Sequence, residues 1–157
     1  MNQKDLSRLL TGVFYCMGLC GLAVYGYFIP ELLKTLFKDA RPLAFNAWFI
    51  LSIVSAIPCY LVLLCGIRVA REIGRDNSFS VANSNLLKIT AILAATDSLI
   101  IFVGSSIFYV VGLSSGIMEI LSLLIVFAGI SITVVSGALS HLVYKAALMR
   151  EENDLTI

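Results

Sequence analysis

The stretch "ILSLLIVFAGISITVVSGALSHLVY", residues 120–144, contains no Asp, Glu, Lys or Arg side chain. It is longer than the roughly 20 apolar residues that an α-helix needs to cross about 30 Å of hydrocarbon. The stretch therefore predicts a helix that spans a membrane, and it decides the class of fold.

Three further stretches have the same character. Residues 9–30 and 42–66 carry no charged side chain, and residues 89–112 are interrupted only by Asp97. The chain is 59% hydrophobic and 13% charged, and its mean hydropathy of +0.96 lies outside the range of soluble proteins. Because every connection is short, the sequence predicts an all-α integral membrane protein built as an antiparallel four-helix transmembrane bundle.

We expect one membrane domain over residues 1–157. Lys4 and Arg8 precede the first apolar stretch as in a signal peptide, but the stretch is too long and has no small-residue cleavage site, so we expect it to remain as a span. A short loop is expected around residues 31–41 and a tight Gly-Ser turn at residues 112–116. The predicted spans are at about 9–30, 42–66, 89–112 and 118–144, with a loop at 67–88 and a tail at 145–157.

Basic residues are divided unevenly between the two ends of this bundle. Eight lie at one end and three at the other, and an excess of Lys and Arg marks the cytoplasmic side. We therefore expect both termini, the 67–88 loop and the tail in the cytoplasm. The eight are Lys4, Arg8, Arg68, Arg71, Arg75, Lys88, Lys145 and Arg150, and the three are Lys34, Lys38 and Arg41.

Aromatic residues near the predicted outer ends of the first two spans suit a membrane interface. Tyr25, Tyr27 and Phe28 lie late in the first span, and Trp48 and Phe49 lie early in the second. We expect these side chains to anchor the outer interface.

Small residues predict where the helices pack. Gly129, Thr133 and Gly137 recur every fourth residue and so share one face of the last span. Small residues at this spacing let helix backbones approach closely in a membrane. Possible counterparts are Gly18, Gly21 and Gly26 in the first span and Ala91, Ala95 and Ser98 in the third.

Asp97 is the most costly side chain in the predicted spans, because a carboxylate at the centre of a span costs about 2.5–3.5 kcal/mol to insert. At 1.5 Å per residue from Ile89, it lies roughly 12 Å inside the boundary, far from any basic side chain. We expect a hydroxyl-lined polar site at this depth rather than an ion pair. The predicted site comprises Asp97, Thr133, Ser136, Ser55 and Tyr60.

Two interpretations of Asp97 stay open. It can hold a proton, a cation or a ligand inside the bundle, or it can be a protonated carboxyl group that joins helices by hydrogen bonds. The four cysteines all lie in apolar runs without a zinc spacing, and His141 is the sole histidine. We therefore expect no metal, no cofactor and no enzymatic activity. The cysteines are Cys16, Cys20, Cys59 and Cys65.

The segment after the second span contains a turn and a helix start, where Ser78 or Ser80 is positioned as the cap. Two motifs here and in the tail resemble the bacterial membrane family called domain of unknown function 2975 (DUF2975). The first is "G-x-x-F-(S/T)-x-x-N-x-x-x-L", with one or two extra residues in the turn and with Ala82 where the family often has an acidic residue. It is matched by Gly74, Phe79, Ser80, Asn83 and Leu87, and the acidic tail motif by Glu151, Glu152, Asn153, Asp154, Leu155, Thr156 and Ile157.

The resemblance implies a small four-span inner-membrane protein, and many such members form one half of a pair with a small helix-turn-helix regulator. We therefore expect a signalling or regulatory protein that tethers a DNA-binding regulator at its cytoplasmic face and binds no nucleic acid itself. The two motifs would form the docking surface. The alternative is a small transporter or channel component that uses Asp97 as a proton or cation site, with a homo-oligomer supplying the pore. Membrane lipid is a partner in either case.

Overall fold

The computed structural model describes residues 3–37, 42–75 and 77–155, with side chains described up to residue 152. All regular structure in these residues is helical, and four helical segments are long and apolar enough to cross a membrane. The predicted all-α transmembrane fold is confirmed. The segments are α1 (Gln3–Ala23), a π-helical segment (Val24–Phe28), α2 (Ile29–Leu36), α3 (Pro42–Ile73), α4 (Val81–Val110) and α5 (Gly116–Leu155).

The helices extend beyond the spans that charge alone predicts. The first runs without interruption through Pro30 to Leu36, so most of the loop expected at residues 31–41 is helical. Pro30 lies just after the π-helical segment, where the regular α-helical hydrogen-bond pattern is already broken and the missing N–H group is tolerated. The expected 67–88 loop is likewise short, because α3 continues to Ile73 and α4 begins at Val81.

Each span packs against its neighbour in sequence. The Ser7 hydroxyl at the start of α1 donates to the Ala70 carbonyl near the end of α3, at 2.7 Å. The Tyr60 hydroxyl of α3 donates to the Gly18 carbonyl of α1, at 3.1 Å. Between these two contacts the residue number rises along α1 and falls along α3, so the two spans are antiparallel.

The most extensive contact is between α4 and α5, along the stripe of small residues. Gly129 lies so close to Ser98 that a Cβ atom there would overlap the Ser98 hydroxyl. A Cβ atom at Gly137 would lie 4.0 Å from the Ala91 Cβ. Thr133 donates its hydroxyl within α5, to the Gly129 carbonyl at 2.9 Å, rather than to another helix.

A buried apolar cluster closes the end of the bundle where α2 meets the start of α3. Its members are Leu33, Phe37, Ala44, Trp48 and Met118. The expectation that Trp48 anchors the membrane interface is wrong, because its side chain is only 5% exposed and its indole N–H donates to the Leu113 carbonyl at 3.0 Å. The Trp48 side chain is covered by α2, which occupies residues that were expected to form a loop.

Candidate functional site

Asp97 lies on α4 with its carboxyl group turned towards α3. The Cys59 thiol donates a weak hydrogen bond to the Asp97 Oδ2 atom at 3.5 Å, and the buried Ser55 side chain lies beside the same group. The Oδ1 atom is buried and has no hydrogen-bond partner among the described residues. A buried polar atom without a partner costs about 1–3 kcal/mol. The Asp97 carboxyl group therefore lies in the α3–α4 contact with part of its hydrogen-bonding capacity unused.

Asp97 also lines two cavities inside the bundle. The first, which we call the Trp48 cavity, has a volume of about 310 Å³ and includes Trp48, Ser52, Ser122 and Met118 in its wall. The second, the Tyr60 cavity, has a volume of about 250 Å³ and includes Tyr60, Met17 and Gly129. All four spans contribute to each wall, and no Lys, Arg or His is among the described residues that line either cavity.

The structure brings together part of the predicted polar site. Ser55 lies beside Asp97, and Tyr60 lines the second cavity although its hydroxyl is bonded to Gly18. Thr133 lines a groove on another face of α4, and Ser136 lines neither cavity. The reason is the register of α5, in which Gly129 rather than Thr133 lies at the level of Ser98 and Asp97.

Two residues outside the predicted set of five belong to this site. Cys59 contacts the carboxyl group directly, and Tyr25 lies beside Cys59 and Ser55 and lines both cavities. Tyr25 was expected to be an interfacial anchor, but its half-buried side chain points into the bundle, with its ring centroid 6.4 Å from that of Tyr60.

The π-helical segment explains the position of Tyr25. The Ile29 N–H group bonds to the Val24 carbonyl, five residues back instead of four, which inserts one extra residue into the turn. Pro30 has no N–H group for the Gly26 carbonyl, so an ordinary α-helical turn is already weakened here. π-Helical turns of this kind are frequent at functional sites. Pro30 is the sequence signal from which an irregular turn near Tyr25 could have been predicted.

The second candidate surface is the turn between α3 and α4, formed by the described residues 74, 75 and 77–80, which we call the Phe79 turn. Ser80 caps α4, since its hydroxyl accepts the Asn83 backbone N–H at 3.2 Å, and the predicted cap is confirmed. Asn83 is only 1% exposed and donates to the Asn77 and Ser78 carbonyls, both at 3.0 Å. The turn is therefore fixed from the side of α4.

The opposite side of the Phe79 turn is fixed as well. Glu72 of α3 accepts the Asn77 side-chain amide at 3.1 Å and the Arg75 guanidinium at 3.2 Å. Gly74 packs so closely on α1 that a Cβ atom would lie 2.6 Å from the Ser7 hydroxyl oxygen. The aromatic side chain of Phe79 takes no part in these contacts and is 56% exposed.

These contacts divide the predicted docking residues into two groups. Gly74, Ser80 and Asn83 hold the turn in shape, and Leu87 is half-buried. Phe79 is exposed, and so are Glu151 and Glu152 near the end of α5. The backbone of α5 continues to Leu155, so Asn153, Asp154 and Leu155 are helical. Their side chains, together with Thr156 and Ile157, lie outside the described part of the chain.

Both candidate surfaces lie within the part of the chain that matches a known protein family. Residues 23–157 match a family described as "Protein of unknown function (DUF2975)". The chain belongs to this family. The DUF2975 match begins at residue 23, so the π-helical segment, Asp97, the Phe79 turn and the tail all lie within it, and the resemblance seen in the sequence is confirmed.

The DUF2975 chain is also similar to a curated protein, the uncharacterized membrane protein YoaS of Bacillus subtilis (strain 168). The two are 31% identical over 112 residues, which cover 69% of each chain. No solved structure matches the chain. The family and the four apolar helices together establish a multi-pass membrane protein.

Proposed function

We propose that this DUF2975 chain is a membrane-embedded regulatory protein that holds a small helix-turn-helix transcription regulator at its cytoplasmic end. The docking surface is the Phe79 turn together with the projecting end of α5. The observation that carries the proposal is the exposure of Phe79 on a turn that is fixed from both sides. The class of partner is the one that the family resemblance implies.

The Phe79 turn has the properties of a prepared contact. Its conformation is held by Asn83 from one side and Glu72 from the other, so binding would order little additional backbone. Preorganisation of this kind lowers the entropic cost of association. Exposed aromatic side chains are common among the residues that dominate interface energies, and Phe79 makes no ring contact with the described aromatic residues.

The end of α5 supports the same proposal through its length and charge. Ser140 of α5 contacts Ser84 of α4, so α5 passes the start of α4 near residue 143 and continues for about 18 Å to Leu155 at 1.5 Å per residue. Described side chains after Ala147 are all exposed. They include Glu151 and Glu152, whose charge complements a basic DNA-binding surface.

Photo-crosslinking of the full chain in cells tests the proposal. Phe79→p-benzoylphenylalanine is expected to crosslink a helix-turn-helix protein identified by mass spectrometry. The matched control, Tyr109→p-benzoylphenylalanine, places an equally exposed aromatic position at the other end of α4 and is expected to give no such product. Deletion of residues 154–157 should weaken the crosslink at position 79. Crosslinks to lipid alone at position 79 would contradict the proposal.

Transport is a second candidate, favoured by the position of Asp97 between two cavities that all four spans line. In this case Asp97→Asn abolishes a proton- or cation-dependent flux in proteoliposomes while the helix content stays unchanged. A flux that is equal in the two proteins would remove Asp97 from the candidate coupling groups.

A further inference from the structure

We infer that Asp97 and the Trp48 cavity form a binding site for a lipophilic organic amine, a molecule with one protonated amine on a small apolar body. The inference gives a ligand class to the Asp97 site. It is independent of docking at the Phe79 turn, and it requires binding but no transport.

The first argument is the state of the carboxyl group. Its Oδ1 atom is buried and has no hydrogen-bond partner by distance among the described residues. Its Oδ2 atom accepts the weak Cys59 thiol bond at 3.5 Å, and the Ser55 hydroxyl is the other polar group beside the carboxyl group. No basic side chain lines the Trp48 cavity within the described part of the chain. A carboxylate in a region of low dielectric constant requires a compensating positive charge or a proton, and a protonated amine supplies that charge with a strong hydrogen bond.

The second argument is the set of polar groups around the carboxyl group. An ammonium group has three N–H donors and no acceptor. Beside Asp97, the cavity wall holds the hydroxyl groups of Ser55 on α3 and of Tyr25 in the π-helical segment. Both hydroxyl oxygens can accept hydrogen bonds. Three acceptors from three different spans therefore line the same cavity, and their number matches the donor count of an ammonium group.

The third argument is the character of the remaining wall. Leu33, Trp48, Leu51, Ile101 and Met118 make most of it apolar. The Trp48 indole N–H is already bonded to the Leu113 carbonyl, so the ring offers the cavity only its apolar surface and π-electrons. The volume of about 310 Å³ lies at the small end of the roughly 300–1,000 Å³ found for ligand pockets. The site therefore fits a small apolar body.

Other positively charged occupants suit the same site less well. No group of three or more His, Cys, Asp and Glu side chains among the described residues could hold a metal ion, and a lone carboxylate satisfies few of the ligand positions that a divalent cation requires. A proton neutralises the Asp97 carboxylate but leaves the apolar volume of the Trp48 cavity unfilled. The amine satisfies the carboxyl group and fills the cavity.

Trp48 provides a direct readout, because it is the sole tryptophan of the chain and lines the cavity. The full-length protein in lipid nanodiscs is titrated with 4-phenylbutylamine while tryptophan fluorescence is recorded. The matched uncharged probe is 4-phenylbutan-1-ol, which has the same apolar body. We expect a saturable fluorescence change with the amine and at least about tenfold weaker binding of the alcohol, which corresponds to about 1.4 kcal/mol.

Two variants locate the binding. Asp97→Asn is expected to weaken amine binding at least about tenfold, to the level of the alcohol. Glu119→Gln is the matched control, because Glu119 is the other carboxyl group with a buried oxygen that has no partner in the described residues, and it lies outside the Trp48 cavity. The affinity of the Glu119→Gln variant for the amine is expected to equal that of the wild type.

Ser52→Leu keeps the inference testable if Asp97→Asn fails to fold. Ser52 lines the cavity and bonds only to the Trp48 carbonyl of its own helix at 2.8 Å, so a leucine there fills the cavity and leaves the carboxyl group in place. Amine binding is expected to be lost. Equal affinities for the amine and the alcohol, a response that does not saturate, or unchanged amine binding by a folded Asp97→Asn or Ser52→Leu variant would each overturn the inference.

Discussion

Ser84 of α4 and Ser140 of α5 each donate the side-chain hydroxyl to the backbone carbonyl of the other, both at 2.9 Å. Both side chains are buried, and the two hydroxyl oxygens lie 3.3 Å apart. This reciprocal pair fixes the register of the most extensive helix contact, at the end of the bundle that carries the Phe79 turn.

The serine pair predicts a measurable coupling energy. Polar contacts between membrane helices average about 0.6 kcal/mol and reach about 1.7 kcal/mol in double-mutant cycles. We therefore expect about 1 kcal/mol of coupling between Ser84→Ala and Ser140→Ala in the free energy of unfolding, measured by steric trapping in bilayer discs. Ser131→Ala is the control, because Ser131 is exposed and bonds only within α5. Additive effects of the two pair variants would contradict a direct contact.

Close approach at Gly129 predicts a second stability effect. Gly129→Ala is expected to lower the free energy of unfolding by about 1–3 kcal/mol, as overpacking does, because the new methyl group meets the Ser98 hydroxyl. The further change Ser98→Ala should recover most of this loss. Gly12→Ala is the matched control, since no heavy atom lies within 4 Å of the added group, and a gain of up to about 1 kcal/mol from helix propensity is expected there.

Asn83 and Asn85 are two asparagines in the first turns of α4 with different environments. Asn83 is buried and holds the Phe79 turn, whereas Asn85 is exposed. We expect Asn83→Ala to accelerate amide hydrogen exchange in residues 77–80 because the turn loses both side-chain bonds. Exchange in Asn85→Ala should match the wild type. Equal exchange in all three proteins would mean that the turn is held by its other contacts.

Membrane orientation is tested by cysteine labelling in intact cells. The excess of basic residues predicts that the Phe79 turn lies in the cytoplasm, so Phe79→Cys should react with a membrane-impermeant maleimide only after the cells are permeabilised. Gly116→Cys, at the opposite end of the bundle and with open space around the new side chain, should react without permeabilisation. The reverse pattern would invert the topology and place the tail outside.

The sequence predicted those features that depend on composition along the chain. Apolar stretches located all four spans, and the turn before the third span offered Ser78 or Ser80 as the cap, of which the structure shows Ser80. The sequence did not predict features that depend on rotation about a helix axis. The extra residue of the π-helical segment turns Tyr25 into the bundle, and the register of α5 puts Gly129 where Thr133 was expected. Trp48 was misplaced because the covering helix α2 contains charged residues from Glu31 onwards, and the span was taken to end before them.

The length of α5 gives it mechanical leverage. One continuous helix of 40 residues carries Ser122 in the wall of the Trp48 cavity and ends at Leu155, about 50 Å away at 1.5 Å per residue. Because Ser140 and Ser84 share reciprocal hydrogen bonds, we expect α5 to tilt together with α4. A tilt of about 5° at the cavity displaces the tip by about 4 Å over this length. A small tilt of the helix at the cavity thus moves its acidic end by about the length of a side chain.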